Sequence, residues 1–261
     1  MPRPLALVTN DDGVDSYFLE VLVDALRDAF DLFVVAPAHE QSWSGRAFTR
    51  HGPIRAEQRT DRADPTWAVS GTPSDCVNLA LGNLLPRPPD VVVSGINLGF
   101  NVSLILSLSS GTLAGAIEGA MWGLPAVALS QHLDPRRFDV LKRTQGREDP
   151  GTRSSVGWSA RHAVGLVKTA IATHSPRPVV HSANFPMRVD GETPIEQTRL
   201  ADLRLRGVFQ PSGEGEYRFV FPQAALPTPV PEDSDLACIR RGHISVTRLD
   251  LADLGARIHH G

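Results

Sequence analysis

The 261-residue sequence is poor in cysteine and lysine, carries no excess of positive charge and contains no long apolar run. Its two cysteines, Cys76 and Cys238, stand far apart without metal-ligand spacing. That excludes a disulfide framework and a zinc cluster, and it fits idle thiols in a cytoplasmic protein. Lysine occurs only at Lys142 and Lys168, so nearly all positive charge is arginine. A formal net charge of −3 gives no electrostatic footprint for a nucleic-acid polymer. No stretch is apolar for long enough to span a membrane, and the N-terminal MPRPLALVTNDDG enters structure directly, leaving no room for a signal peptide. There is no G-x-x-x-x-G-K-[ST], no G-x-G-x-x-G after a strand and no G-x-S-x-G, which disfavours P-loop, dinucleotide and serine-hydrolase chemistry.

What is present is organised around Leu5 to Gly13, LALVTNDDG. A short apolar run ended by turn residues reads as a buried strand of a parallel sheet. Apolar residues at Phe18, Val21, Leu22, Ala25, Leu26 and Ala29 follow with helical spacing, predicting a helix over Tyr17–Phe30. Thr9 to Asp15 is then a strand-to-helix loop, the kind that binds ligands at the carboxyl edge of an open α/β sheet. In an extended strand the neighbours Asp11 and Asp12 would point to opposite faces; in a turn eased by Gly13 they can converge. Two such carboxylates repel unless a cation lies between them. Alternatively one caps the helix and the other is solvated.

Further along, Leu32–Ala36, Trp67–Val69, Asp90–Ser94, Leu124–Leu129 and Val179–Asn184 read as strands, and 73–85 and Val156–Thr173 as helices. Pro37 opens a polar loop, AHEQSWSGRAFTR, at a strand end; such loops are often functional, the alternative being a mobile surface excursion. Ser109-Ser110-Gly111-Thr112 leads into a helix of small residues. Its start is either an anion site or a plain helix cap. The segment from Gln131 to Ser155, with Arg136, Arg137, Lys142, Arg143 and Arg147, reads as a solvated insert or a lid over an anionic ligand. Beyond Pro186 the α/β alternation stops, leaving strand-like pieces at Tyr217–Phe221 and His243–Leu249 and a proline-rich connector, PQAALPTPVPED.

The polar loops follow three buried strands, and their wording is familiar. TNDDG, VVAP with its serine and glycine loop, GTPSDCV, VVSGINLGFN, SGTLAGAIEGA and the late DSD with IRRGHISVT together resemble the SurE family of stationary-phase survival proteins. The resemblance runs from Leu5 to about Leu249 and implies a divalent-metal-dependent 5'-nucleotidase, a phosphomonoesterase acting on nucleoside monophosphates. Carried over residue by residue, it assigns the metal to Asp11, Asp12, Ser42 and Asn97. It assigns phosphate binding to Asn101, Ser110, Gly111 and Thr112, with Asn10 beside them, and catalysis to Asp11 and Asp12. Carboxylate, hydroxyl and amide oxygens are hard donors suited to one Mg²⁺ or Mn²⁺ per subunit.

Two departures from the family pattern stand out. Phe18 replaces a glycine after the DDG turn, and the segment Val102–Ser109 reads VSLILSLS where the family shows Gly, Asp and an aromatic. A run that apolar is expected to pack against the protein or a neighbouring subunit. The expected fold is α/β, a Rossmann-like and mostly parallel sheet flanked by helices over residues 1–186, with a C-terminal arm of extended and hairpin segments over 187–261. The resemblance makes that arm an oligomerisation device and implies a homodimer or homotetramer. A nucleotide-binding protein with weak catalysis, or a phosphatase acting on other phosphates such as polyphosphate, are the rival functions.

Overall fold

A computed structural model describes residues 3–205, 207–221 and 229–255. Alternation along the first strand, β1 (Leu5–Thr9), sets the layers. Ala6 and Val8 face one side, packing with Phe18, Leu22 and Leu26 of α1 (Tyr17–Leu26). Leu5 and Leu7 face the other, with Cys76 and Val77 of α2 (Pro73–Leu79). A strand buried on both faces is apolar at nearly every position, which is why these segments read as near-continuous runs.

β2 (Asp31–Pro37), β4 (Thr66–Val69), β5 (Val91–Leu98), β6 (Ala126–Gln131) and β7 (Val179–Phe185) join β1 in a parallel array ordered β4-β2-β1-β5-β6-β7. The short β3 (Ala56–Gln58) adds antiparallel to β4 at the edge. From β1 the chain winds outward to β2 on one side, then returns to β5 on the other. The winding therefore reverses between β1 and β5, and the crevice outside their carboxyl ends is where such sheets bind ligands. α4 (Gly111–Met121) lies on the α2 side of the sheet and buries Leu113, Ala116 and Ala120 against β6 and β7. α6 (Pro150–Ala172) packs with α1 on the opposite face through Val156, Ala160 and Val167. No single helix among the described residues is long and apolar enough to cross a membrane.

Several elements differ from the sequence expectations. α1 stops at Leu26 instead of Phe30, where a turn folds Phe30 into the core. The helix expected over 73–85 is α-helical only to Leu79 and continues as a π turn over Ala80–Leu84. The segment 131–155 is not a solvated insert. It forms α5 (Phe138–Thr144), whose Leu141 is buried, and the first turn of α6. That turn is capped by Asp149, which accepts from Thr152 N (3.0 Å) and Thr152 Oγ1 (2.7 Å), with Pro150 at the first helical position. The apolar Val102–Ser109 run is a short helix, α3 (Ser103–Ser109); Leu106 is buried, while Leu104 and Leu108 face outward.

The residues after 186 are not all peripheral. β8 (Ile195–Thr198) and β11 (Ile244–Asp250) extend the main sheet to nine strands, β11 antiparallel to β7 and parallel to β8. Between them, β9 (Phe209–Gly213) and β10 (Glu216–Phe219) form a separate hairpin. α7 (Asp235–Arg240) seals a small cluster in which Leu236 and Ile239 meet Val102, Leu106, Ala201 and Leu203. Residues 222–228 of the proline-rich connector lie outside the described residues.

Candidate active site

The site is assembled at the β1/β5 switch point. Past β1 the chain turns through Asp11 and Asp12, and Gly13 takes the left-handed dihedral the turn needs (φ +100°). Asp11 Oδ1 accepts from Thr112 Oγ1 at 2.6 Å and Asp12 Oδ2 from Leu98 N at 2.9 Å. These bonds tie the turn to the start of α4 and the end of β5. α4 comes so close that a Cβ on Gly111 would stand 2.8 Å from Asp11 Cβ, so glycine is required there. β5 carries a bulge between Ser94 and Asn97 in its pairing with β6. Asn97 Nδ2 donates to Gly99 O (2.8 Å), so the amide oxygen is the atom left to accept a ligand.

The polar loop after β2 is pinned rather than mobile. Gln41 N donates to Asp11 O (2.7 Å), Gly45 N to Ser109 O (3.1 Å) and Thr72 Oγ1 to Ala47 O (2.6 Å). Arg46 reaches Glu118 of α4 (2.7 Å), a buried carboxylate that also accepts from Asn78 Nδ2 and Trp122 Nε1. These anchors fix Ser42 and Trp43 at the rim of the crevice.

A cavity of about 980 Å³ opens here, and Asp11, Ser42, Asn97, Asn101 and Ser110 all line it. Asn10, Asp12, Gly111 and Thr112 are not among its lining residues. Asn10 is fully buried and its Nδ2 donates to Gly13 O (2.9 Å), bracing the turn. Thr112, also fully buried, orients Asp11. Asn101 is held by Asn184 Oδ1 on its backbone N–H and by Ser130 Oγ on its amide. Ser110 caps α4 by accepting from Leu113 N (3.0 Å), a bond that uses a lone pair and leaves the hydroxyl hydrogen to donate.

Sequence reasoning missed several lining residues. Glu40 and Lys142 form an ion pair, and Trp43 packs against Phe219 with ring centroids 4.7 Å apart and the planes tilted. Phe100 meets His132 edge-on. The pairing of Lys142 with Glu40 had no local signal, since the scarcity of lysine reads only as compositional bias. The hairpin aromatics had none, because nothing local tells where a hairpin lands.

The electrostatics are those of a site short of positive charge. Burial raises the Asp11 carboxyl above its ordinary range, and Glu40 adds to it against the hydrogen bonds from Thr112. Burial and then the neighbouring Asp11 charge raise Asp12 well above the usual value. Neither carboxylate has an ion-pair partner among the described residues. Burial pushes Glu40 up as well, but the hydrogen bonds from Lys142 and Ser42 outweigh it and leave its carboxyl below normal. Burial also holds the His132 imidazole down, to about 4, so it is neutral at neutral pH.

Sheet order and cavity together define the class: a Rossmann-like α/β protein with its ligand site at the carboxyl edge of the parallel strands. The chain belongs to the SurE family; the family described as Survival protein SurE matches residues 6–207. It is similar to the 5'-nucleotidase SurE of Methanosarcina mazei, 34% identical over 98% of this chain and 94% of that protein. The 5'-nucleotidase SurE of Solidesulfovibrio magneticus is 39% identical over 96% and 93%. The crystal structure of the SurE protein from Aquifex aeolicus superposes with a TM-score of 0.73 at 27% identity, covering 95% of this chain and 94% of that one.

Proposed function

We propose that this protein is a divalent-metal-dependent 5'-nucleotidase that hydrolyses nucleoside monophosphates to nucleoside and phosphate. One observation carries the reading. Two adjacent carboxylates, the buried Asp11 and the half-buried Asp12, stand at the switch point without a cationic partner among the described residues, beside the free amide oxygen of Asn97. Two carboxylates, the Ser42 hydroxyl and an amide oxygen make an all-oxygen donor set, and the unmatched negative charge is what a divalent cation neutralises. These residues would hold Mg²⁺ or Mn²⁺. Held there, the ion would supply Lewis-acid polarisation of a phosphoryl oxygen and would lower the pKa of a water.

The chain's own residues supply the rest. The Ser110 hydroxyl, and the Gly111 N–H beside it at the start of α4, offer donors to phosphoryl oxygens. The remaining amide hydrogen of Asn101 serves the same end. Thr112 fixes the Asp11 carboxylate, and Asp11 or Asp12 can accept the proton lost by the attacking water. On the other wall, Phe100, Trp43, Phe219 and Phe221 give the nucleoside an apolar surface, and a cavity of about 980 Å³ has room for it. Related proteins named 5'-nucleotidase SurE support the substrate class.

The outward-facing Leu108, Phe209 and Tyr217 favour a homodimer or homotetramer built through the C-terminal arm. Two buried free thiols suit a cytoplasmic location. Phosphate release from AMP, measured with Mn²⁺ and again after exhaustive chelation, tests the function. Turnover that survives chelation would remove the metal mechanism, and no release from any monophosphate would remove the nucleotidase.

A further inference from the structure

α5 is bolted to the element that follows the Asp11–Asp12 turn. Gln145, in the left-handed region just past its end, accepts from Tyr17 N at 2.8 Å. The Arg147 guanidinium stacks over the Tyr17 ring at 4.8 Å and pairs with Glu20. Leu141 is buried, and Phe138 packs against the same core. With its outer face fixed in this way, α5 turns Phe138, Asp139 and Lys142 into the cavity that Asp11, Asn97 and Ser110 line.

The charges lining that cavity are unbalanced for a phosphate ester. Asp11, Glu40 and Asp139 are acidic; Lys142 and Arg218 are the basic residues, and His132 stays neutral. Arg218 is on the separate hairpin. Lys142 is on α5, which its contacts with α1 fix beside the Asp11–Asp12 turn. Its present partner is Glu40, in a pair whose side chains are 38% and 42% exposed. Ion pairs that open to solvent hold their partners weakly. Glu40 keeps the Ser42 hydrogen bond if the lysine leaves. A lysine ammonium on a flexible stem can be re-aimed where a guanidinium fork cannot, and this is one of only two lysines in an otherwise arginine-based chain.

We propose that Lys142 is a substrate-phosphate ligand held in reserve: it rests on Glu40 in the free protein and transfers to the phosphoryl dianion of a bound monophosphate ester. The inference rests on the phosphomonoesterase reading and adds to it the residue that answers the substrate's charge. A plain surface ion pair, the alternative, would have no bearing on anion affinity.

The test uses the full-length protein with Mn²⁺ and compares Lys142→Gln, Lys142→Arg and the remote control Lys168→Gln. Inorganic phosphate binding is read by calorimetry, and steady-state kinetics on AMP are read beside it. Lys142→Gln is expected to weaken phosphate binding by about tenfold or more. It should raise KM for AMP by a similar factor with kcat within about threefold, the pattern of lost uniform binding. Lys142→Arg should recover only part of the affinity, because the charge returns on a fork that is harder to re-aim. Adenosine, which has no phosphate, should inhibit both proteins equally. Unchanged phosphate affinity in Lys142→Gln, or an equal loss of adenosine affinity, overturns the proposal. If the unsubstituted protein releases phosphate from no monophosphate, the nucleotidase reading fails, while the calorimetry still decides the role of Lys142.

Discussion

Asp12 is a carboxylate that the fold places beside another and gives a single backbone donor, Leu98 N. Asp12→Asn keeps its size and most of its hydrogen bonding while removing the charge. If the pair holds a divalent ion, kcat should fall by on the order of 10²–10⁴. Metal-free stability should hold or rise, since a carboxyl whose pKa is raised by folding opposes the native state when ionised at neutral pH. Were Asp12 only a solvated turn or helix-cap residue, turnover would be near normal and stability would drop by about 1 kcal/mol. One mutant, assayed for both with chelator and with Mn²⁺, separates these. His132 makes a second expectation at this scale. Burial is the main cause holding its imidazole down to about 4; Asp134 works against it and Arg240 with it. Unfolded, it titrates near its ordinary value of about 6.5. The unfolded chain therefore takes up a proton that the native protein refuses. The stability that neutral His132 allows is complete above about pH 6.5 and is lost as pH falls toward 4, by up to about 3 kcal/mol. In His132→Phe this part of the slope should vanish, as urea unfolding at pH 7.5, 5.5 and 4.5 would show; parallel slopes in the two proteins would count against it.

Among the elements, α4 bears on both stability and the site, because Glu118 on its inner side holds the loop that carries Ser42 and Trp43. Glu118→Ala removes three hydrogen bonds from a carboxylate only 3% exposed. A loss of about 2–3 kcal/mol in unfolding free energy is expected, together with a fall in kcat as the loop loosens. A variant with full stability would show that Arg46 and Asn78 contribute nothing through it. This is also the scale at which sequence and structure part company. The apolar runs of β1, β2, β5, β6 and β7 were legible because strands buried on both faces are apolar over most of their length, with polar residues mainly toward their carboxyl ends. The segments carrying Asp11, Asp12, Ser42, Asn97, Asn101 and Ser110 were legible because motif order carries over along a chain. α5 was not, because Arg136, Arg137, Arg143 and Arg147 mask the single buried Leu141 and the capping Asp149. The Glu40–Lys142 pair was not, since its members are far apart in sequence and meet only through tertiary packing. β11 read as a strand, but its place between β7 and β8 is set by long-range pairing that no local pattern encodes.

For the whole molecule, that placement makes the C-terminal segment part of the main sheet as well as a proposed assembly arm. A chain ended after Pro186 loses β11, bares the edge of β7 and removes the α7 cover over Val102 and Leu106. It is expected to be aggregated or unstable, as light scattering and circular dichroism would reveal. A soluble, fully active monomer from it would contradict this. The order of strands also has a consequence for how the protein is made. β8 is synthesised well before β11, yet β11 is the strand on which β8 is seated. On the ribosome, the sheet therefore stays open along β7 until about residue 250 has emerged. At roughly 5–20 residues per second, the stretch from Pro186 to Asp250 keeps that edge bare for some seconds. Throughout that window the nascent chain offers an unpaired strand edge to other nascent chains, and to whatever chaperone covers it first.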